Sequence, residues 1–87
     1  MEPDLTAAAQ EELARACDLS WRELTKVVPW GDTYEGFTPG GYTAQFERNY
    51  LWANAAQGDI LVEVVVYLGQ RQEDGVKLSR VIGRSTR

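Results

Sequence analysis

The stretch Asp59-Ile-Leu-Val-Glu-Val-Val-Val-Tyr-Leu68 decides the fold of this chain. It reads as a β-strand with two mostly apolar faces, because strand side chains alternate between the two sides of a sheet. One face carries Ile60, Val62, Val64, Val66 and Leu68, and the other carries Leu61, Glu63, Val65 and Tyr67. Such a strand needs cover on both faces, and a short chain has little material for this. A partner molecule is therefore one candidate for the second cover.

The size and composition predict a single globular domain. The chain has 87 residues, 44% of them hydrophobic and 25% charged, which is ordinary for a folded protein. No apolar run approaches the roughly 20 residues that span a bilayer. The acidic start Met1-Glu-Pro-Asp4 lacks the basic and then apolar order of a signal peptide. We expect one α+β domain over residues 1–87, in the cytoplasm and without membrane contact.

The residue types exclude several classes of chemistry. The chain has one cysteine, Cys17, so it cannot form an intramolecular disulfide, and it has no histidine. A Ser-His-Asp or Cys-His catalytic site therefore cannot be built from this chain alone. One cysteine without histidine also makes a zinc site implausible. We expect no metal, no cofactor and no enzymatic activity, with Cys17 as an inert core residue on the apolar stripe of a helix.

The net charge of −4 is unevenly distributed along the chain. Acidic residues dominate the first 23 residues, whereas the last 17 carry Arg71, Lys77, Arg80, Arg84 and Arg87 against Glu73 and Asp74. This tail fits a contact with an anion or nucleic acid, or a solvated strand edge whose cations discourage aggregation. The second interpretation is favoured, because nucleic-acid-binding domains are usually basic overall.

Residues 4–28 are predicted to be helical in two segments. Asp4 is a candidate N-cap before an alanine-rich stretch. Ser20-Trp-Arg-Glu23 has the spacing of a capping box and predicts a second short helix to about Val28. The proline that follows ends this helix. A strand at Leu24–Val28 is the alternative.

The remainder of the chain is predicted to form strands. Thr38-Pro-Gly-Gly41 fits a type II turn between a short strand near Asp32–Phe37 and a longer one at Tyr42–Ala53. Asp74-Gly75 fits a type I′ hairpin turn that leads into a last strand, Val76–Gly83. Because all the connections between strands are short, the four strands form an antiparallel meander. The fold class is α+β, with the order ααββββ.

This order of helices and strands resembles the cystatin-like and related architectures in which a helix packs on a curved sheet. The resemblance concerns topology alone. The chain contains no motif of that family, so no functional residue is carried over.

The predicted strand registers define what the second face holds. A loop centred on Ala56 pairs Trp52 with Ile60, Tyr50 with Val62, Arg48 with Val64 and Phe46 with Val66. A two-residue Asp-Gly turn pairs Tyr67 with Ile82, Arg71 with Leu78 and Glu73 with Val76. The second face then contains Leu51, Leu61, Val65, Tyr67, Val76, Leu78 and Ile82. This is more apolar than a solvated face should be, and one helical layer covers only one face.

Glu63 is the only charge inside the apolar strand, and it has two interpretations. It could be a carboxylate with a raised pKa that acts as a general acid or base. Alternatively, Asn49 across the sheet, or an arginine or lysine of a partner, satisfies it. The second interpretation is favoured, because no other catalytic group is identifiable.

An aromatic segment gives a second candidate site. Trp30, Tyr34, Phe37 and Tyr42, together with Arg48, could line a pocket for a cation or a planar ligand. More commonly, such aromatic residues fold back over a sheet as part of its core. Arg48 could bind an anion, although a salt bridge to Glu12 or Glu23 is favoured.

These observations predict a small non-enzymatic interaction domain, adaptor or regulatory, that forms a homodimer through the apolar sheet face. The expected interface residues are Leu61, Glu63, Val65, Tyr67, Leu78 and Ile82. The expected partner is a second copy or another protein. The alternative is a small-molecule-binding domain whose aromatic pocket is closed by residues 30–42.

Overall fold

The computed structural model describes residues 4–68 and 75–84. Two helices precede four strands: α1 (Leu5–Ala16), α2 (Trp21–Leu24), β1 (Trp30–Phe37), β2 (Thr43–Trp52), β3 (Ile60–Tyr67) and β4 (Val76–Ile82). The strands form one sheet in the order β1-β2-β3-β4, and every neighbouring pair is antiparallel. The predicted α+β class, with helices before an antiparallel meander, is confirmed. No helix in residues 4–68 or 75–84 is long and apolar enough to cross a membrane.

The two helices begin as the sequence predicts, but only the second has a side-chain cap. Asp4 occupies the N-cap of α1 without a side-chain cap, and its carboxylate instead accepts a hydrogen bond of 2.7 Å from the backbone N–H of Gly40. The predicted capping box of α2 is confirmed, because Ser20 and Glu23 exchange both hydrogen bonds. α2 ends at Leu24 rather than near Val28.

The segment between α2 and β1 is neither the predicted helix nor the alternative strand. It is a run of turns through residue 29. The hydroxyl of Thr25 donates a hydrogen bond of 2.6 Å to the carbonyl of Arg22. The β-branched residues Val27 and Val28 follow, and such residues have restricted side-chain rotamers in a helix. The helix therefore stops one turn after it begins.

The helices cover one face of the sheet. α1 lies against β3 and β4, and it contributes small buried residues that let it approach the strands closely. The largest fully buried side chains of the core are Leu24, Ile60, Val62, Val64 and Val66. β3 is therefore the centre of the core, as its sequence predicts.

The first hairpin has a different turn from the predicted one. The N–H of Gly41 donates to the carbonyl of Thr38 at 2.9 Å, which closes a four-residue turn at the expected position. A type II turn needs positive φ at Gly40, but the glycine with positive φ is Gly41, at 92°. The type II prediction is therefore wrong, and the left-handed residue follows the turn instead.

The register between β2 and β3 is confirmed in full. Ile60 pairs with Trp52, Val62 with Tyr50, Val64 with Arg48 and Val66 with Phe46. Burial of these β3 residues on one face fixes this alignment, because a shift of one residue would turn every side chain over.

The register between β3 and β4 differs from the prediction. Ile82 pairs with Ile60, whereas the prediction paired it with Tyr67, which lies seven residues further along β3. Leu78 pairs with Val64. Because seven is odd, β4 is turned over relative to the prediction, and Val76, Leu78 and Ile82 lie on the helix-covered face. The predicted Asp74-Gly75 turn and the pairings of Arg71 and Glu73 involve residues outside those described. Burial of three apolar side chains against the helices determines the alignment of the described strand.

Candidate interaction face

The four strands present their odd-numbered residues on the side away from the helices, and we call this side the open face. The even-numbered residues form the covered face. Three of the large apolar side chains that are exposed in the described structure lie on the open face, namely Phe37, Leu51 and Val81. The open face is therefore the candidate interaction surface.

A row of three apolar residues crosses the open face at one end. Leu51 on β2 pairs with Leu61 on β3, which pairs with Val81 on β4. Leu51 is 38% exposed and Val81 is 53% exposed, while Leu61 between them is half-buried. We call these three residues the apolar row. Cross-strand neighbours on one face are close enough to form a continuous surface.

The middle of the open face is polar and internally paired. Glu63 Oε2 lies 3.4 Å from Nζ of Lys77 on β4. Asn49 donates to Glu47 at 3.0 Å, so it is not the residue that satisfies Glu63. Glu63 is therefore paired with a lysine of the neighbouring strand in the same chain, as the interpretation of a structural carboxylate requires.

The predicted interface residues are divided between the two faces. Leu61, Glu63, Val65 and Tyr67 lie on the open face, whereas Leu78 and Ile82 pack on the helix-covered core. Their assignment to the second face is wrong, because it depended on the incorrect β4 register. The prediction also missed Val81. The alternation within β4 could have revealed Val81. Val76, Leu78 and Ile82 share one side of β4, which should pack with the fully apolar side of β3, and Val81 then lies on the opposite side.

The covered face contains a group of charged side chains that the sequence only partly predicted. Glu12 of α1 is buried, and its Oε1 lies 2.6 Å from Arg15 Nη2 and 2.6 Å from the hydroxyl of Tyr34, which donates to it. Its Oε2 lies 3.5 Å from Nη1 of Arg48. The predicted salt bridge between Arg48 and Glu12 is therefore confirmed.

The pKa values of this group follow from these contacts. Desolvation raises the pKa of Glu12, but the hydrogen bonds from Tyr34 and Arg15 and the charges of Arg15 and Arg48 outweigh it, so the pKa lies below its ordinary value. Burial, together with the hydrogen bond to Glu12, raises the pKa of Tyr34 to about 12. At neutral pH, an ionised carboxylate thus accepts a hydrogen bond from a neutral phenol.

Arg48 is held from a second side by Asp32. Its Nε donates to Oδ1 of Asp32 at 2.8 Å, and its Nη2 also contacts Oδ2. Its guanidinium carbon lies 5.1 Å from the centre of the Tyr34 ring. The hydrogen bonds to Asp32 raise the pKa of Arg48. The arrangement binds α1 to β1 and β2 through charges that compensate one another.

The residues of the predicted aromatic pocket do not come together. Trp30 stacks on Tyr50 at 6.2 Å, and Tyr34 stacks on Phe46 at 5.2 Å, all on the covered face. Phe37 lies on the open face and is largely exposed. Tyr42 is half-buried just before β2, and Arg48 is engaged by Asp32. The five residues therefore do not share one cavity.

Cys17 is half-buried at the C-terminus of α1. Burial raises the pKa of its thiol, and Arg80 opposes this with a smaller effect. A raised pKa disfavours the reactive thiolate form. Within residues 4–68 and 75–84, no group of three or more cysteine, aspartate or glutamate side chains is placed to hold a metal ion.

No protein-family model, curated protein or solved structure matches this chain.

Proposed function

We propose that this protein is a small non-enzymatic interaction domain of the cytoplasm that associates with a second copy through the open face. The apolar row of Leu51, Leu61 and Val81 carries this proposal, because it crosses three strands on a face that the helices leave uncovered. Continuous apolar surface of this kind is typical of interfaces. A cytoplasmic location suits a chain whose cysteine, Cys17, is free.

The area of the open face sets the expected strength of the dimer. Four strands about 4.8 Å apart and roughly 8 residues long, at about 3.3 Å per residue, give a face of about 500 Å². Two copies would bury about 1,000 Å², which is near the lower limit for a specific interface. We therefore expect a reversible dimer with micromolar affinity rather than an obligate one.

The order of residues on the open face favours a two-fold axis parallel to the strands. Such an axis places β2 of one copy over β3 of the other at the same height along the strands. Leu51 then meets Leu61 of the second copy, and Asn49 meets Glu63 of the second copy. Glu47 meets an apolar residue, Val65 of the second copy, so no two carboxylates face each other. A self-complementary surface of this kind suits an isologous dimer.

Sedimentation velocity between about 5 and 500 µM tests this proposal. The wild-type mass should rise from the monomer value of 9.8 kDa towards twice that value. Leu51→Glu places a charge in the apolar row and should keep the protein monomeric throughout the range. Leu19→Glu is the matched control, because Leu19 is 39% exposed, close to the 38% of Leu51, but lies in the connection between the helices.

A wild-type protein that stays monomeric at 500 µM would contradict the proposal. Equal weakening of the dimer by both variants would contradict it as well, since the interface would then not involve the open face specifically. Thermal melting of each variant shows whether it is folded before its mass is interpreted.

A further inference from the structure

A depression of about 410 Å³ lies at the connection between α2 and β1, with residues 26–30 as its lining. Four lining residues are apolar or aromatic: Val27, Val28, Pro29 and Trp30. Lys26 is the fifth. The volume falls within the range of about 300–1,000 Å³ that is typical of small-ligand sites.

Trp30 gives the depression a fixed aromatic surface. Its ring stacks on Tyr50 with the centroids 6.2 Å apart and the planes 15° from parallel. Tyr50 is itself buried in the core, so the indole rests on a rigid support. Even so, Trp30 is 50% exposed. A supported and half-exposed indole is well suited to stack with a planar ligand.

Among the lining residues that the structure describes, Lys26 is the one with a charge. The nearest acidic residue in the sequence is Glu23, one helical turn earlier. Its carboxylate accepts hydrogen bonds from the backbone N–H and the hydroxyl of Ser20, at 3.0 and 3.2 Å. The capping box therefore engages the Glu23 carboxylate through hydrogen bonds, and the charge of Lys26 acts on it only as a smaller electrostatic effect that helps to lower its pKa. Lys26 itself belongs to the lining of the depression. One cation beside an apolar wall matches a ligand with one negative charge.

We infer that this depression binds a planar aromatic monocarboxylate. The ring of the ligand lies against the indole of Trp30 and the side chains of Val27 and Val28, and its carboxylate pairs with the Nζ of Lys26. This site is independent of the proposed dimer, because Trp30 is on the covered face and the open face is on the other side of the sheet.

Fluorine NMR of protein labelled with 5-fluorotryptophan tests the site with 1-naphthoate and its neutral counterpart 1-naphthamide. The chain has three tryptophans, and Trp30→Phe assigns the signal of Trp30. Naphthoate should shift that signal saturably, while the signals of Trp21 and Trp52 move less. The amide should bind about two- to fivefold more weakly, as expected for loss of a partly exposed ion pair.

Lys26→Gln should make the acid and the amide bind equally well. The control is Lys77→Gln, which changes the only other lysine of the chain and lies on the open face. This control should retain the preference for the acid.

Three results would overturn the inference. These are the absence of a saturable shift at millimolar naphthoate, equal binding of acid and amide to the wild-type protein, and a larger response from Trp21 or Trp52 than from Trp30. The comparison of acid and amide uses wild-type protein, so the test remains decisive even if a variant does not fold.

Discussion

Each face of the sheet contains a carboxylate among apolar neighbours, and the two carboxylates have different environments. On the covered face, Glu12 is buried and contacts Arg15, Tyr34 and Arg48. On the open face, Glu63 has one lysine 3.4 Å away, and that lysine is largely exposed. A buried charge must be paired and hydrogen-bonded, whereas water can stabilise an exposed one. The number of partners therefore reflects how completely each face is covered.

The apolar residues of β3 show the same contrast. Val64 is fully buried beneath the helices, and its neighbour Val65 is half-buried on the open face. The two differ by one position in the chain, and they share residue type and strand. They are therefore a matched pair for measuring what the helical cover contributes to stability.

The largest expected effect is the difference between Val64→Ala and Val65→Ala. Truncation of Val64 should lower the free energy of unfolding by about 2.5 kcal/mol, because it removes buried methyl groups and leaves a cavity. Truncation of Val65 should cost less than about 1 kcal/mol. Urea denaturation at about 1 µM protein, below the proposed dimerisation range, measures both values. Equal losses would mean that the open face is as well covered as the other one.

The sequence predicted this contrast between the faces only in part. The β2–β3 register could be predicted, because the fully apolar side of β3 has to meet Phe46 and Tyr50. The predicted β3–β4 register was wrong because it was derived from the local turn preference of Asp74-Gly75 alone. In the described strand, burial of apolar side chains against the helices determines the register. The sequence did contain the information, since Val76, Leu78 and Ile82 lie even numbers of positions apart and therefore share one side of the strand.

The candidate sites were less predictable than the fold. The salt bridge between Glu12 and Arg48 could be predicted, because Arg48 is a charged residue on an otherwise apolar strand face. The further contacts with Asp32 and Tyr34 could not, because they depend on the register between β1 and β2. The depression near Trp30 lies in a run of turns that had been predicted as helix or strand. Turns have no hydrophobic period, so a sequence pattern cannot place their side chains.

The next largest expected effect compares Glu12→Gln with Glu63→Gln. The first variant should lose about 2 kcal/mol, because Arg15 and Arg48 lose their buried carboxylate. The second should change stability by no more than about 0.5 kcal/mol, as is usual for a partly exposed pair. Urea denaturation at pH 7 measures both. A loss in Glu63→Gln as large as that in Glu12→Gln would show that the open face is covered in solution.

Glu12→Gln should also differ from the wild-type protein in its stability towards acid. The pKa of Glu12 in the folded protein is lower than its ordinary value of 4.5. Its stabilising effect is therefore fully present above about pH 4.5, and it is lost as the pH falls through the lower folded value. Between pH 5 and pH 3, Glu12→Gln should lose less stability than the wild-type protein. Parallel curves for Glu12→Gln and the wild-type protein would contradict the assigned pKa direction.

The smallest expected effect concerns Tyr34, which links β1 to α1 through its hydrogen bond to Glu12. Tyr34→Phe removes one hydrogen bond to a carboxylate and should cost about 1–2 kcal/mol at pH 7. The pKa of Tyr34 is raised from 10.0 to about 12. The folded state thus favours the neutral phenol, and this contribution to stability is present below pH 10 and is lost as the pH rises towards 12.

Absorbance at 295 nm should show a late ionisation step near pH 12 in the wild-type protein. That step should be absent from Tyr34→Phe. If Tyr34→Phe kept the step, the phenol that contacts Glu12 would not be the one that ionises last, and the hydrogen bond between α1 and β1 would be weaker than its length of 2.6 Å implies.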